Sequence, residues 1–331
     1  MLIACLPGDG VGPEVMAQAL RVLAALPVEV DVVELPFGGA AIDAAGDPLP
    51  PETLAACRDA DAVLLGAVGG PRWEAGGPRP EAGLLGLRRA LDVYANLRPA
   101  TKGDVDLLIV RELVGGLYFG ARGVRDDGTV FDTCEYHPSQ VERVVRRAFE
   151  LARARGGRLT SVDKANVLDT SRLWRRVVEE VASGYPDVAL RQALVDSFAM
   201  EVVLAPERVD VVVTENMFGD ILSDIAAAVT GGLGLAASAS LGDSGPGIFE
   251  PVHGSAPDIA GTGVVNPAAM LRSLALLLEH AAGRPELARA VAAAVDRALV
   301  SSPTPDLGGS ATTVEFGDAV LASLEEVGAW A

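Results

Sequence analysis

Lysine is almost absent from this chain. Only Lys102 and Lys164 occur in 331 residues, against a Lys and Arg total of 27, so the basic set is nearly all arginine. Cysteine and histidine are scarce, with three of each, and Cys5, Cys57 and Cys134 are scattered. That scatter excludes a disulfide framework and the close spacing of a zinc ligand set. Basic charge is in deficit: 45 acidic residues give a net charge of −18. Nucleic-acid binders carry basic stripes that replace counterions, and anionic membranes attract polybasic segments, so neither partner fits. A long apolar run is missing too. The longest uncharged stretch, Ile225 to Gly242, is broken by Thr230, Gly231, Gly232 and Gly234, and the opening residues lack a basic, then apolar, signal pattern. Neither a signal peptide nor a membrane span is expected, and the expected compartment is the cytoplasm.

What remains is half hydrophobic and 22% charged, the profile of a globular protein long enough for two domains. Strand and helix patterns alternate: strands over Leu2–Leu6, Val28–Leu35 and Ala62–Leu65, helices over Pro13–Ala25, Pro51–Ala60 and Ala82–Leu91. Such alternation predicts a parallel sheet covered on both faces. Val105–Val110 reads as a further buried strand, and Asp126-Asp127-Gly128 as the turn of a hairpin. Val141, Val144, Val145, Ala148, Phe149 and Ala152 then fall on one helical stripe. Strands near Leu159–Val162, Val188–Val195 and Val209–Thr214 follow, then helices near Asn266–Ala281, Pro285–Ser301 and Thr312–Gly328.

Several residue groups could carry chemistry. The glycines of Gly8-Asp9-Gly10-Val11-Gly12 do not fit a dinucleotide fingerprint, because the third comes one residue early, so a tight strand-to-helix turn is the better reading. Asp220 and Asp224 stand at i and i+4 beside Ser223, away from the apolar stripe of Phe218, Ile221, Leu222, Ile225 and Val229. Their mutual repulsion suits a hard divalent cation or an ordinary solvated face. Arg88, Arg98 and Arg111 stand where strands or helices end, and guanidinium groups match carboxylates bidentately. Lys164, after an extended run, is a base candidate because lysine can lose its proton and arginine effectively cannot. It is about as well explained as a chance survivor, as Lys102 in a polar loop is. Glu250–Gly261 is a dense loop of small residues whose N–H groups could cradle phosphate, or simply an Ω-loop.

Taken together, Leu6–Glu14, Ala95–Pro99, Arg111–Gly120, Ser161–Val167, Phe218–Asp224 and Glu250–Gly261 resemble, in order and spacing, the isocitrate/isopropylmalate β-decarboxylating dehydrogenase family. Within it, the 3-isopropylmalate dehydrogenases of leucine biosynthesis are the nearest pattern. The resemblance spans essentially the whole chain. It implies an α/β fold of two domains that is not a Rossmann fold, with the second domain inserted in the first. Residues 1–93 with 231–331 would form a cofactor domain, and residues 94–230 a substrate and homodimerisation domain with a hairpin arm at about 118–137. Carried over residue by residue, Arg88, Arg98 and Arg111 would bind the substrate carboxylates. Asp220 and Asp224 would hold Mg²⁺ or Mn²⁺ with the partner subunit's Asp196, Asp220 also touching substrate. The partner subunit's Lys164 would be the base and Tyr118 the acid. His253, Gly254, Ser255, Ala256, Asp258 and Asn266, with the stretch Gly70–Glu81, would bind the cofactor, Asp258 favouring NAD over NADP.

Leu84, Leu85 and the partner subunit's Val167 would offer an apolar pocket for an isopropyl group. The implied reaction is oxidative decarboxylation of (2R,3S)-3-isopropylmalate to 4-methyl-2-oxopentanoate and CO2. The alternatives are D-malate, tartrate or homoisocitrate, or a non-catalytic protein that keeps the fold; the presence of Lys164, Tyr118 and all three aspartates weighs against the last. Two departures from the family pattern stand out. The connection Ala100–Asp104 is unusually short, which implies altered surface or dimer packing, and Leu194 replaces the usual tyrosine before Val195-Asp196.

Overall fold

Short apolar runs set between amphipathic stretches become strands in the computed structural model, which describes residues 1–73 and 76–326. Their pairing is mainly parallel with helices on the sheet faces, but mixed, since Ala95–Lys102 with Val105–Glu112 and Ala237–Leu241 with Gly247–Pro251 pair antiparallel. The chain divides into two units, Met1–Leu91 with Leu233–Ala331, and Asp92–Gly232. It opens in the first with β1 (Leu2–Gly8), α1 (Gly12–Ala25), β2 (Asp31–Glu34), α2 (Gly38–Ala45), α3 (Pro51–Asp59), β3 (Ala62–Ala67) and α4 (Pro80–Ala90). Proline sits in the first turn of α1, α3 and α4, where its missing N–H costs nothing. β2 is shorter than the apolar run suggested, because the Val28 N–H turns back to the Leu26 carbonyl and parallel pairing with β1 starts at Asp31.

The segment Gly8–Gly12 is a tight turn. Asp9 is buried, and its carboxylate accepts the N–H groups of Gly39, Ala40 and Gly69. A Cβ on Gly66 would lie 2.3 Å from the Pro7 carbonyl oxygen and 3.0 Å from the Gly12 Cα, so β3 crosses the start of α1 backbone to backbone.

The second unit begins with β4 (Ala95–Lys102) and β5 (Val105–Glu112), antiparallel and joined by Gly103-Asp104 with Gly103 at φ +56°. The short connection is therefore a two-residue hairpin turn. Lys102, expected in a loop, instead ends β4 opposite Val105. β6 (Arg122–Val124) and β7 (Val130–Asp132) form the expected hairpin, followed by α5 (Pro138–Ala154), whose six stripe residues are buried. Then come β8 (Arg158–Asp163), α6 (Asp169–Ala182), β9 (Ala189–Leu194), α7 (Val195–Leu204), β10 (Val211–Thr214) and α8 (Asn216–Thr230). The strand order is β4-β5-β10-β8-β9, parallel except between β4 and β5. Leu107, Ile109, Val212, Phe198, Phe218 and Leu222 form one buried cluster that seats α7 and α8 on this sheet. Each such side chain contributes about 1.5–3 kcal/mol.

The chain returns to the first unit with β11 (Ala237–Leu241), β12 (Gly247–Pro251), α9 (Ala268–His280), α10 (Pro285–Ser301) and α11 (Thr313–Glu326). The strand order there is β2-β1-β3-β12-β11. Glu250, expected in a loop, lies in the buried strand β12. The last two residues of the helix expected over Thr312–Gly328, and residues 74–75 of the stretch Gly70–Glu81, lie outside the described residues. Among the described residues no helix is long and apolar enough to cross a membrane.

Candidate active site

The β4–β5 hairpin brings two of the predicted arginines to one face. Asn96 pairs with Arg111 and Arg98 with Ile109, so side chains at 96, 98 and 111 project together. Both guanidinium groups are buried, Arg111 at 1% exposure, and both turn toward the first turns of α8. Arg111 donates through Nε (3.0 Å) and Nη2 (2.7 Å) to Asn216 Oδ1, and through Nη1 to Asp220 Oδ1. Arg98 donates through Nε to Asn96 Oδ1 (2.9 Å) and through Nη1 to Ser223 Oγ (2.8 Å). Its Nη2 lies 3.5 Å from Asp220 and its Nη1 3.4 Å from Asp224. Asp220, half-buried, and Asp224, exposed, thus both face guanidinium groups, so the helix face that spacing read as paired carboxylates is ion-paired on its inner side. Burial pushes the Asp224 carboxyl up; Arg98 pulls it down and the Asp220 charge adds to the rise.

Tyr118 stands at the end of the short turn Gly116–Tyr118, and its hydroxyl donates to Asp220 Oδ2 at 2.8 Å. Burial first, and then the hydrogen bond to Asp220, push its pKa up to about 12. It holds its proton at neutral pH, as an acid must.

Lys164 follows β8 directly, and Asp196 lies in the first turn of α7, after β9. Because Asp163 pairs with Leu194, the parallel register brings the two together, and Lys164 Nζ donates to Asp196 Oδ1. That bond holds the Asp196 carboxyl below the usual carboxylate range. Among the described residues of one chain, no three His, Cys, Asp or Glu side chains converge as a metal site. Asp196 therefore stands with Lys164, apart from Asp220 and Asp224. Val167 is exposed, and Leu194 is half-buried.

In the first unit, Leu84, Leu85 and Arg88 share one face of α4 by helical spacing, the leucines half-buried. Arg88 is buried and pairs with Glu250 Oε1 at 2.7 Å, while its Nε, also buried, has no partner among the described residues. The loop after β12 is clamped to α1. Glu14 accepts the N–H groups of Gly261 and Gly263, and the Ser255 carbonyl accepts the Val11 N–H. Ala256 adopts φ +38°, Gly254 and Asp258 are exposed, and Ser255 is buried. His253 Nδ1 lies 2.9 Å from the Gly254 carbonyl, so it carries the ring proton, and its buried Nε2 is an acceptor without a donor among the described residues. Burial holds this imidazole neutral by lowering its pKa. Asn266 is engaged internally: its Oδ1 accepts the Ala268 N–H and its Nδ2 donates to Asp306. Gly70 takes φ +150°, and Glu81 lies beside Gly69 at the start of α4.

Motif reading passed over the residues that hold this arrangement: Asn216, Glu215, Glu112 and Tyr136. Glu215 and Asn216 follow the apolar run Val211–Thr214 just as Arg111 follows its own. That shared position at a strand end was the available signal.

Residues 2–320 match the family model described as isocitrate/isopropylmalate dehydrogenase. The chain belongs to this family of dehydrogenases, as the motif resemblance implied. It is 50% identical over 342 residues to a 3-isopropylmalate dehydrogenase of Bacillus cereus, covering 98% of this chain and 97% of that one. It is 46% identical over 343 residues to a 3-isopropylmalate dehydrogenase of Listeria innocua serovar 6a, covering 98% of each. Its fold is similar to that in the crystal structure of isocitrate dehydrogenase from Methylococcus capsulatus, with a TM-score of 0.90 at 37% identity over 98% of this chain and 99% of that one.

Proposed function

We propose that this dehydrogenase carries out the NAD-dependent oxidative decarboxylation of 3-isopropylmalate as a homodimer with shared active sites. The observation that carries the reading is the buried pair Arg98 and Arg111 set against Asp220, Asp224 and Tyr118. Two guanidinium forks suit a dicarboxylate, and two hard carboxylates suit Mg²⁺ or Mn²⁺. The full-length likeness to 3-isopropylmalate dehydrogenases supports the substrate, as does the leucine pair beside Arg88.

The donor sets fit both cofactors. Asp220 and Asp224 would hold the cation, with the partner subunit's Asp196 as third carboxylate. The acceptor His253 Nε2 fits an exocyclic amine such as that of adenine, and exposed Asp258 fits ribose hydroxyls while repelling a 2′-phosphate. Gly254, Ala256 and Gly70 would let backbone approach the cofactor, with Glu81 and Asn266 bordering it. When bound, NAD⁺ accepts the hydride from C2, and the cation offsets the negative charge that develops as CO2 departs.

The protein's own groups do the rest. Arg111, Arg98 and Arg88 hold the carboxylates and so fix which face of C2 is presented. The partner subunit's Lys164 takes the hydroxyl proton as hydride leaves, and the C2–O bond becomes a ketone. The bond from C3 to its carboxylate then breaks, CO2 departs, and Tyr118 delivers a proton to C3 to give 4-methyl-2-oxopentanoate. Leu84, Leu85 and the partner subunit's Val167 exclude water around the isopropyl group. Exposed Met200, Val203 and Leu204 on α7 and Ile221 on α8 support the dimer, since an isologous partner would cover such a face.

A spectrophotometric panel of 3-isopropylmalate, isocitrate, homoisocitrate, D-malate and tartrate with NAD⁺ and Mg²⁺ tests this. The branched substrate is expected to have the highest kcat/KM. Because one methyl in an apolar pocket is worth about 1–3 kcal/mol, neighbouring 3-alkylmalates should follow within about 10- to 200-fold. Turnover confined to unbranched substrates overturns the reading.

A further inference from the structure

Behind Arg111 lies a group of buried acids that the proposed reaction does not use. Tyr136 Oη is 3.1 Å from Glu112 Oε2 and 3.3 Å from Glu215 Oε2, and it accepts the backbone N–H of Asn216 at 3.0 Å. Glu112 is 0% exposed and Glu215 7%. A phenol has one hydrogen and can donate it once, so two ionised carboxylates cannot both be bonded by Tyr136. One further proton satisfies all three groups. Its position follows from the remaining bonds. Glu112 already receives the N–H of Val114 on Oε1 (3.0 Å) and of Gly115 on Oε2 (2.9 Å). Glu215 receives the Phe218 N–H on Oε1 (2.9 Å), with the Met217 N–H close by, and its Oε2 meets the Tyr136 hydroxyl. The oxygen least supplied with donors is therefore Glu215 Oε2. A proton there donates to Tyr136 Oη, and the Tyr136 hydrogen goes to Glu112.

The cations and other titratable groups facing this cluster do not remove the need for that proton. Arg143 on α5 is engaged by Asp92 at 2.7 Å and lies over the Tyr94 ring, and Arg111 on β5 is engaged by Asn216 and Asp220. Cys134 and Tyr118 are further titratable neighbours, and neither is a cation. Burial pushes both carboxyls up, Glu112 to about 7, which brings the pair's ionisation close to working pH.

The same groups grip the reactive residues. Asn216, held through its N–H by Tyr136, accepts two bonds from Arg111 and donates from Nδ2 to the Gly115 carbonyl at 2.9 Å. Glu112 holds the Gly115 N–H, and Gly115 and Gly116 lie so close on Tyr136 that a Cβ on Gly115 would sit 2.8 Å from its ring and one on Gly116 2.4 Å from its hydroxyl oxygen. Gly116 opens the turn that ends at Tyr118. Tyr136 is thus a hub joining the end of β5, the Tyr118 turn and the start of α8.

We propose that Glu112, Tyr136 and Glu215 share one proton, and that this protonated triad positions Arg111 and Tyr118 for the dicarboxylate substrate. Loss of the proton at higher pH sets two carboxylates against a single hydroxyl hydrogen and loosens the grip on Asn216 and Gly115. The consequence for binding rests on the role of Arg111 proposed above; the proton itself does not.

The test is the Kd of 3-isopropylmalate, measured calorimetrically with Mg²⁺ at pH 6.5 and pH 9, for the full chain and for Glu215→Gln. The Gln amide supplies the donor to Tyr136 permanently. In the unaltered chain Kd should rise about tenfold between the two pH values, the weight of one bond to a charged group, and in Glu215→Gln the rise should largely vanish. Equal rises in both, or no rise in the unaltered chain, overturn the proposal. Tyr136→Phe keeps the packing ring and should raise Kd at pH 6.5 about tenfold; an unchanged Kd also overturns it. Infrared difference spectra of the unaltered chain between pH 6.5 and 9 should show the loss of a buried protonated carboxyl, with that signal missing in Glu215→Gln. If no pH supports substrate binding, the function proposed above fails, and the infrared result still decides whether the proton is there.

Discussion

Arg111 owes its position to bonds on three sides: Asn216 fixes its Nε and Nη2 edge, Asp220 takes Nη1, and the Tyr118 ring lies 5.5 Å from the guanidinium carbon. A lysine carries its charge at one point and cannot meet both partners, so Arg111→Lys should lower kcat/KM for the dicarboxylate at least about tenfold. Steady-state kinetics with NAD⁺ held saturating check this; a kinetically silent change would mean that the fork does not hold the substrate. Lys164 is the complementary case. Its ion pair with Asp196 is solvent-facing, the side chains being 25% and 65% exposed. Lys164→Met should therefore alter stability by less than about 1 kcal/mol while lowering turnover by about 10²–10⁴-fold. Urea denaturation and single-turnover NADH formation read the two separately. Arg111 was legible because a charged residue directly after an apolar run is conspicuous, and Lys164 because it is one of two lysines in the chain and ends an extended run. Asn216 and Glu215 occupy equivalent positions, but as polar residues before a helix they read as an ordinary helix start. Only the pairing of Thr214 with Arg111 in neighbouring parallel strands reveals that they meet.

At the scale of elements, the site depends on how closely α8 lies on β5. A Cβ on Gly219 would approach Arg111 Cγ to 2.6 Å and Cβ to 2.7 Å. Gly219→Ala should gain about 1 kcal/mol of helix propensity and cost about 1–3 kcal/mol by overpacking. Overpacking wins, and the displaced guanidinium should raise KM more than it lowers kcat. An unchanged KM would mean that α8 has room this packing does not show. The buried acids give this layer a pH dependence. Burial raises the folded-state pKa of Glu112 from 4.5 to about 7, and that of Glu215 in the same direction. The folded chain then holds protons that the unfolded chain releases, so this contribution to stability is full below about pH 4.5 and is lost as pH rises through about 7. Denaturation at pH 5.5 and 8 should show a smaller decline in Glu215→Gln than in the unaltered chain. Most elements were legible because buried strands read as apolar runs and helices as stripes. β12 was not, since Glu250 interrupts its run, and the acid is tolerated in a buried strand only because Arg88 reaches it from α4.

For the whole molecule, the proposed sharing of sites between subunits has a sharp consequence. Lys164→Met and Asp224→Asn should each be inactive alone, yet a mixed dimer of the two should rebuild one intact site. Random exchange makes half the dimers mixed, with one of two sites restored, so about a quarter of full activity should return. No recovery would place Lys164 and Asp224 in the site of one chain. The family and its chemistry were legible from six separated motifs, whereas the proton-sharing acids were not, because no local spacing marks a triad assembled from β5, the approach to α5 and the approach to α8. The proposed reaction is read most directly from the ratio of CO2 to NADH released from 3-isopropylmalate with NAD⁺ and Mg²⁺. One CO2 per NADH, with 4-methyl-2-oxopentanoate as the remaining product, is the expected result, and NADH without CO2, or no turnover of this substrate, would contradict it.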